Sequence, residues 1–114
     1  MKEIFAQGDV LFERVADVPP SGTTMSAASD GSITVAEGEA TGHRHRFYDA
    51  VVMFRDDALA WDIPADLYIG HVKIEGNEAR LLHDEHAPLI LPRGTWRVRR
   101  QRELEPNNVR YVAD

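Results

Sequence analysis

The sequence predicts a small all-β fold, a single-domain β-barrel or sandwich, and three observations support this. Short runs of alternating apolar and polar residues recur along the chain, which is typical of half-buried strands. Gly, Pro, Asn and Asp separate these runs as turn formers, and the chain shows almost none of the apolar periodicity of a helix. A chain of 114 residues suits one domain with one modest core. We therefore expect residues 1–114 to form one all-β domain.

Turn signals divide the chain into short predicted strands. The first strand covers 8–15, and the segment 19–31 after it is rich in Pro, Ser, Thr, Ala and Gly. Such a composition predicts a flexible loop, and one hypothesis is that this loop covers the functional site. The other predicted strands are 32–37, 43–48, 50–54, 59–63, 88–91, 95–102 and 109–112.

Residues 67–83 are the best-defined unit and are predicted to form a hairpin. Gly76-Asn77 at their centre suits a two-residue turn, since both residues tolerate positive φ. The resulting register turns His83 toward the core and His71 toward solvent, so His71 is expected to be partly exposed. It also places Gly70 opposite His83, where the missing side chain leaves space for an ion or a ligand.

The composition excludes several classes of protein. A net charge of −6 argues against a general nucleic-acid binder. The absence of cysteine excludes disulfides and thiolate metal sites. Residues 1–5 lack an apolar signal region, and no apolar run approaches membrane-spanning length. We therefore expect a cytoplasmic protein with neither a membrane nor a nucleic-acid partner.

Arginines and tryptophans each leave two interpretations open. Residues 93–102 contain five arginines and no acidic residue, which usually marks a solvated strand face, and an anion or partner site is the alternative. Trp61 and Trp96 are expected to pack in the core, as large aromatics in short strands usually do. The alternative for the tryptophans is the lining of a ligand pocket.

Four of the five histidines lie in two short segments, and the first segment is a predicted strand. Because side chains alternate along a strand, His43, His45 and Phe47 share one face. Arg44 and Arg46 take the other face and strongly prefer water, so the two imidazoles point inward. Inward imidazoles fill a core poorly, but they are good ligands for a metal ion.

The second segment contains His83, Glu85 and His86. His43, His45 and His83 are the predicted metal ligands, with either Glu85 or His86 as the fourth. Imidazole and carboxylate together suit a divalent ion such as Zn, Fe, Ni or Mn. Glu37 and Glu39 are further candidates for a ligand or its hydrogen-bond partner. The residues expected to contact a substrate are Tyr68 and Arg97.

The His-x-His run and the later Pro92-Arg93-Gly94 turn resemble the two motifs of the cupins. This resemblance implies a cupin-like barrel, the double-stranded β-helix, with a metal held by His43 and His45. Two positions depart from the cupin pattern. Asp49 stands where cupins have a glutamate, and Arg97 stands where they have the third histidine, so His83 or His86 would replace it.

The chain is also similar to a group of small uncharacterised bacterial and phage proteins. They share a Gly-Glu-x-Thr-Gly-His-x-His segment, here residues 38–45, and a His-x-Glu-His segment before a Leu-Pro-x-Gly turn. This resemblance covers most of the chain and implies a bacterial or phage-related origin.

Two function hypotheses follow from these residues. The first is a metal-dependent enzyme whose ion acts on a small-molecule ligand as a Lewis acid, activates water or binds O2. The second is a non-catalytic accessory or interaction module in which any metal is structural. A structural site is closed by four protein ligands, whereas a catalytic site keeps an open position. Homodimerisation is a further expectation.

Overall fold

The computed structural model describes residues 3–38 and 42–101 of the chain. It contains β1 (Ile4–Gln7), β2 (Val10–Val15), β3 (Thr23–Thr24), β4 (Ile33–Glu37), β5 (Arg44–Phe47), β6 (Val52–Arg55), β7 (Tyr68–Leu82) and β8 (Leu89–Arg100). One 3₁₀ helix, Asp57–Ala60, interrupts the strands. No helix in the described residues is long and apolar enough to cross a bilayer. The predicted strand at 109–112 lies outside the described residues.

The eight strands form one antiparallel sheet, which confirms the predicted all-β fold. Its centre is the pairing of β7 with β8, and β2 and then β1 continue the sheet beyond β8. On the other edge of β7, β6 pairs with the first part of the strand, and β5 pairs with its end. The remaining two strands are β4, which pairs with β5, and β3, which pairs with β6. The sheet is not closed.

The sheet curls so that its two ends face one another across the core. The rings of Phe12 in β2 and Phe47 in β5 meet edge to face, with centroids 6.3 Å apart, although β2 and β5 are not neighbours in the sheet. Trp96, the largest fully buried side chain, packs edge to face on Phe5 of β1. The curl therefore brings β1 and β2 against β5, and this proximity shapes the site described below.

The predicted hairpin at 67–83 is wrong, because β7 runs without a break through Gly76-Asn77. Residues 75–77 of β7 lie opposite Arg93 alone in β8, so the extra residues form a bulge within the pairing. The turn between the two long strands lies instead at 83–88. The second histidine segment is therefore the connection between β7 and β8.

Two other turn and pairing predictions fail for related reasons. Pro92 and Gly94 lie inside β8, in the part that pairs only with β7, where the missing N–H of proline is tolerated. Gly94 has a φ of 144°, which glycine adopts readily. Gly70 pairs with Val98 and not with His83.

The segment between β6 and β7 also differs from its prediction. The expected strand at 59–63 is replaced by the 3₁₀ helix, because Asp56 caps the helix by accepting a hydrogen bond from the Ala58 N–H. Trp61 follows this helix and is 86% exposed, so its predicted core position is wrong, whereas that of Trp96 is confirmed.

The segment 19–31 lies against β6. It contains β3, and the Met25 N–H donates to the Met53 carbonyl at 2.8 Å. The Ser21 hydroxyl donates to Asp56 at 2.6 Å. These contacts join the segment to β6 and to the residue that follows it. Its flexibility stays a prediction.

We expect the neighbours Leu91 and Ile90 on β8 to differ sharply in their contribution to stability. Leu91 is fully buried, whereas Ile90 is 41% exposed. Leu91→Ala should lower the free energy of unfolding by about 2–5 kcal/mol, since it removes buried methyl groups and leaves a cavity. Ile90→Ala should lower it by less than about 1 kcal/mol. Urea denaturation measures both, and equal losses would contradict the assignment of faces.

Candidate metal centre

The register between β5 and β7 brings the two histidine segments together. Arg46 of β5 pairs with Leu82 of β7 in an antiparallel ladder. Continuing this register by one residue beyond β7 sets His45 beside His83, and their ring centres lie 4.4 Å apart. His45 and Phe47 are fully buried, which confirms their predicted inward face.

Two further contacts extend the same register. The Arg44 N–H donates to the Asp84 carboxylate at 3.1 Å, and this hydrogen bond lowers the pKa of Asp84. Glu85 Oε1 lies 3.6 Å from His43 Nδ1. That nitrogen is buried and has no hydrogen-bond partner among the described residues. Glu85 itself is largely exposed, so it stands at the rim beside His43.

We call His43, His45, His83 and His86 the histidine cluster. The ring centre of His83 lies 5.6 Å from that of His43 and 4.6 Å from that of His86, while His45 and His86 are 6.3 Å apart. Imidazoles bound tetrahedrally to one ion, with metal–nitrogen bonds of about 2.1 Å, have ring centres about 5 Å apart. The ring spacings in the cluster scatter on both sides of this value.

Gln7 determines which nitrogen of His45 carries the proton. Its amide nitrogen donates to the carbonyls of Leu81 at 3.0 Å and Ala87 at 2.9 Å. The amide oxygen of Gln7 therefore faces His45 Nδ1 at 2.9 Å and can only accept. His45 must carry its proton on Nδ1, which leaves the lone pair on the buried Nε2. Sequence analysis missed Gln7, because nothing in a short N-terminal strand marks a glutamine as a partner of a distant histidine.

His83 has the opposite arrangement. Its Nδ1 lies 3.0 Å from the backbone nitrogen of Glu85 and 3.3 Å from that of His86. Both groups donate, so Nδ1 accepts and the proton of the neutral ring is on Nε2. Within residues 3–38 and 42–101, no three His, Asp or Glu side chains are arranged as ligands of one ion.

Glu37 and Glu39 are the further candidate ligands, and His71 is the remaining histidine. Glu37 ends β4 with an exposed side chain. Glu39 lies outside the described residues. His71 belongs to a different part of β7, where it contacts Tyr68 and Phe54.

Tyr68 and Arg97, the predicted substrate contacts, lie far from the histidine cluster. Tyr68 begins β7, whereas His83 follows its last residue. Arg97 is buried and donates from Nε to Glu13 at 3.0 Å and from Nη1 to Asp62 at 2.6 Å. All of its nitrogens thus face carboxylates of the protein itself.

His71 is 3% exposed, so its predicted exposure is wrong. It does lie on the face opposite the apolar core, beside Arg97 in the next strand. That face is covered by the segment between β6 and β7, from which Asp62 reaches Arg97 and the Asp56 N–H donates to the Tyr68 hydroxyl. The hydroxyl of Tyr68 lies 2.8 Å from His71 Nδ1. Burial and the charge of Arg97 lower the pKa of His71.

Most of the described arginines in the stretch 93–102 form ion pairs with carboxylates of the protein. Arg99 Nη1 lies 4.0 Å from Glu13, and Arg100 pairs with Asp9 at 2.7 Å. Arg93 donates to the Glu75 carbonyl. These partners come from strands and turns that are distant in the sequence, so the described arginines contribute to the fold.

The comparisons with known proteins identify a family but no activity. A family model described as Domain of unknown function (DUF8820) matches residues 6–101, which include every residue of the histidine cluster. No curated protein and no solved structure matches the chain.

We expect His71 to make stability depend on pH. Its folded-state pKa is lowered, so the unfolded chain takes up a proton first as the pH falls below about 6.5. The stabilisation by neutral His71 is therefore fully present above this pH and is lost as the pH falls toward the folded-state pKa. Urea denaturation at several pH values measures the effect. The difference between wild type and His71→Gln should shrink below pH ~6.5, and a constant difference would contradict the assignment.

Proposed function

The chain belongs to the DUF8820 family, and we propose that it binds one divalent transition-metal ion in the histidine cluster. The observation that carries this proposal is the meeting of four imidazoles from two distant segments, in which the ring centre of His83 lies 4.4–5.6 Å from those of the other three. His45 is fully buried and the other three rings are half-buried, and polar rings of this kind are a poor filling for an apolar interior.

His45 supports the proposal most directly. It is fully buried, and Gln7 holds its ring so that Nε2 keeps the lone pair. A hydrogen bond to the other ring nitrogen is the usual way in which proteins orient a metal-binding histidine. His43 and His86 add two further imidazoles, which are half-buried.

The donor chemistry limits the ion. Imidazoles with one nearby carboxylate suit Zn, Fe, Ni or Mn, and a chain without cysteine offers no thiolate to favour a softer ion. Glu85 lies beside His43 and would serve as a further ligand or would orient His43. Such an ion would polarise a bound substrate or activate water.

The proposal extends to the location of the protein and to the kind of ligand that it binds. We place the protein in the cytoplasm, with a small molecule as its ligand and no nucleic-acid partner, in keeping with the net charge of −6. The resemblances to cupins and to phage proteins stay predictions. A non-catalytic accessory module with a structural ion is the second candidate, favoured by the number of imidazoles, since four protein ligands would close the site.

Metal analysis of protein purified without an affinity tag tests the proposal. Wild type should bind one Zn ion per chain, and His45→Ala should weaken binding by more than the ~10–100-fold typical of a partner of a ligand. His71→Gln is the matched control, because it also alters a buried histidine and should retain the ion. A wild-type protein that binds no Zn, Fe, Ni or Mn would refute the proposal.

A second prediction concerns Gln7. Gln7→Leu removes the group that holds the Nδ1 proton of His45 and should weaken Zn binding about 10–100-fold. Thr95→Val is the control, because Thr95 is also buried and donates to Asp17 far from the cluster. Competition with a chromophoric chelator measures both affinities. Unchanged affinity in a folded Gln7→Leu protein would show that Gln7 does not orient His45.

A further inference from the structure

A cleft of about 390 Å³ lies beside the bulge of β7. The middle of β7, the facing part of β8 and the connection after β2 all line this cleft, whereas the histidine cluster follows the end of β7. The charged and polar residues of the lining are Asp17, Lys73, Glu75, Arg93 and Thr95. The volume is within the range of small-molecule sites, so the cleft has room for a small ligand.

Two of the four charged groups in the cleft balance one another. The Lys73 ammonium lies 3.3 Å from the Asp17 carboxylate, which also accepts a hydrogen bond from the buried Thr95 hydroxyl at 2.6 Å. These two contacts lower the pKa of Asp17, so its carboxylate is ionised at neutral pH. The side chain of Lys73 is mostly buried, and its ammonium has three N–H donors, of which the contact with Asp17 uses one. Lys73 therefore has donors left for a further acceptor in the cleft.

The charges of Arg93 and Glu75 are not balanced in this way. Arg93 donates from Nε to the backbone carbonyl of Glu75 at 3.0 Å and also engages this carbonyl with Nη2. Within residues 3–38 and 42–101, neither the Arg93 guanidinium nor the Glu75 carboxylate forms an ion pair. Arg97, Arg99 and Arg100 of the same stretch each lie beside a carboxylate. The cleft therefore presents one unmatched positive charge and one unmatched negative charge.

We propose that the cleft binds a small zwitterion of the α-amino-acid class, with its carboxylate on Arg93 and Lys73 and its ammonium on Glu75. Lys73 pairs with Thr95, two residues beyond Arg93 in β8, and long side chains at such diagonal positions can reach one ligand group. The Glu75 carbonyl leaves Nη1 of Arg93 to donate to the ligand carboxylate. A ligand with a single charge would leave the other charge of the cleft unmatched.

Free α-amino acids, added singly to isotope-labelled wild type without metal, test this inference. Nuclear magnetic resonance shifts of the backbone N–H groups locate the binding. At least one amino acid should bind with a Kd below about 1 mM, and the largest shifts should fall on residues 73–75 and 93–95. The probes of charge are the deaminated acid and the decarboxylated amine of that amino acid, which keep its side chain. Each should bind about tenfold or more weakly, because each lacks one hydrogen-bonded charge.

Two variants separate the roles of the unmatched charges. Arg93→Gln keeps an N–H donor for the Glu75 carbonyl, and Glu75→Gln changes an exposed side chain. Each should weaken binding of the amino acid about tenfold or more. Glu75→Gln should leave the affinity for the deaminated acid unchanged, because that probe has no ammonium. Arg80→Gln is the matched control, since Arg80 is an exposed arginine of β7 outside the cleft, and it should bind the amino acid as wild type does.

The inference is overturned if no amino acid binds wild type below about 1 mM, or if the shifts fall outside the cleft. It is also overturned if the deaminated acid binds as tightly as the amino acid, which would indicate a site for anions alone. Equal affinities of wild type and Glu75→Gln for the amino acid would have the same meaning. The titrations of wild type and Glu75→Gln decide the question even if Arg93→Gln does not fold.

Discussion

The pairing of β7 with β8 is the constraint on which the rest of the structure depends. Tyr68–Leu82 and Leu89–Arg100 form the two longest strands, and every other strand except β1, β3 and β4 pairs directly with one of them. Long antiparallel strands twist and coil, and here the coil brings β1 across the core to β5. The connection between β7 and β8 contains His83 and His86. The pairing of these two strands therefore also positions two of the four residues of the histidine cluster.

The protonated nitrogens of His45 and His83 are determined by neighbouring hydrogen-bonding groups, which the fold brings to the two rings. Gln7 donates to Leu81 at the end of β7 and to Ala87 in the connection that follows. It thereby ties β1 to both sides of the turn and, through the same amide, assigns the proton of His45. The protonation of His83 is likewise assigned by main-chain N–H groups. Loss of the turn geometry would therefore change both tautomers at once.

Local sequence patterns correctly predicted which side chains of a single strand face the core. They failed for features that depend on how distant strands and segments pack together. The two-residue period of a strand correctly predicted that His45 and Phe47 are buried. Gly76-Asn77 has the composition of a hairpin turn, yet it forms a bulge because β8 continues past it. His71 lies on the polar face of β7 and was expected in water, but a distant segment covers that face. Gln7 carries no local signal, since its partners are more than 35 residues away.

The group around Arg97 and the histidine cluster differ in how their polar atoms are matched. Around Arg97, every guanidinium nitrogen faces a carboxylate of Glu13 or Asp62, so the group is complete within the protein and serves the fold. In the histidine cluster, imidazoles lie against one another, and the Glu85 carboxylate stands 3.6 Å from His43 at the rim. His43 Nδ1 is buried without a hydrogen bond from the described residues. The metal function proposed above therefore uses the cluster and not the Arg97 group, because neutral imidazole nitrogens are good ligands for a divalent ion.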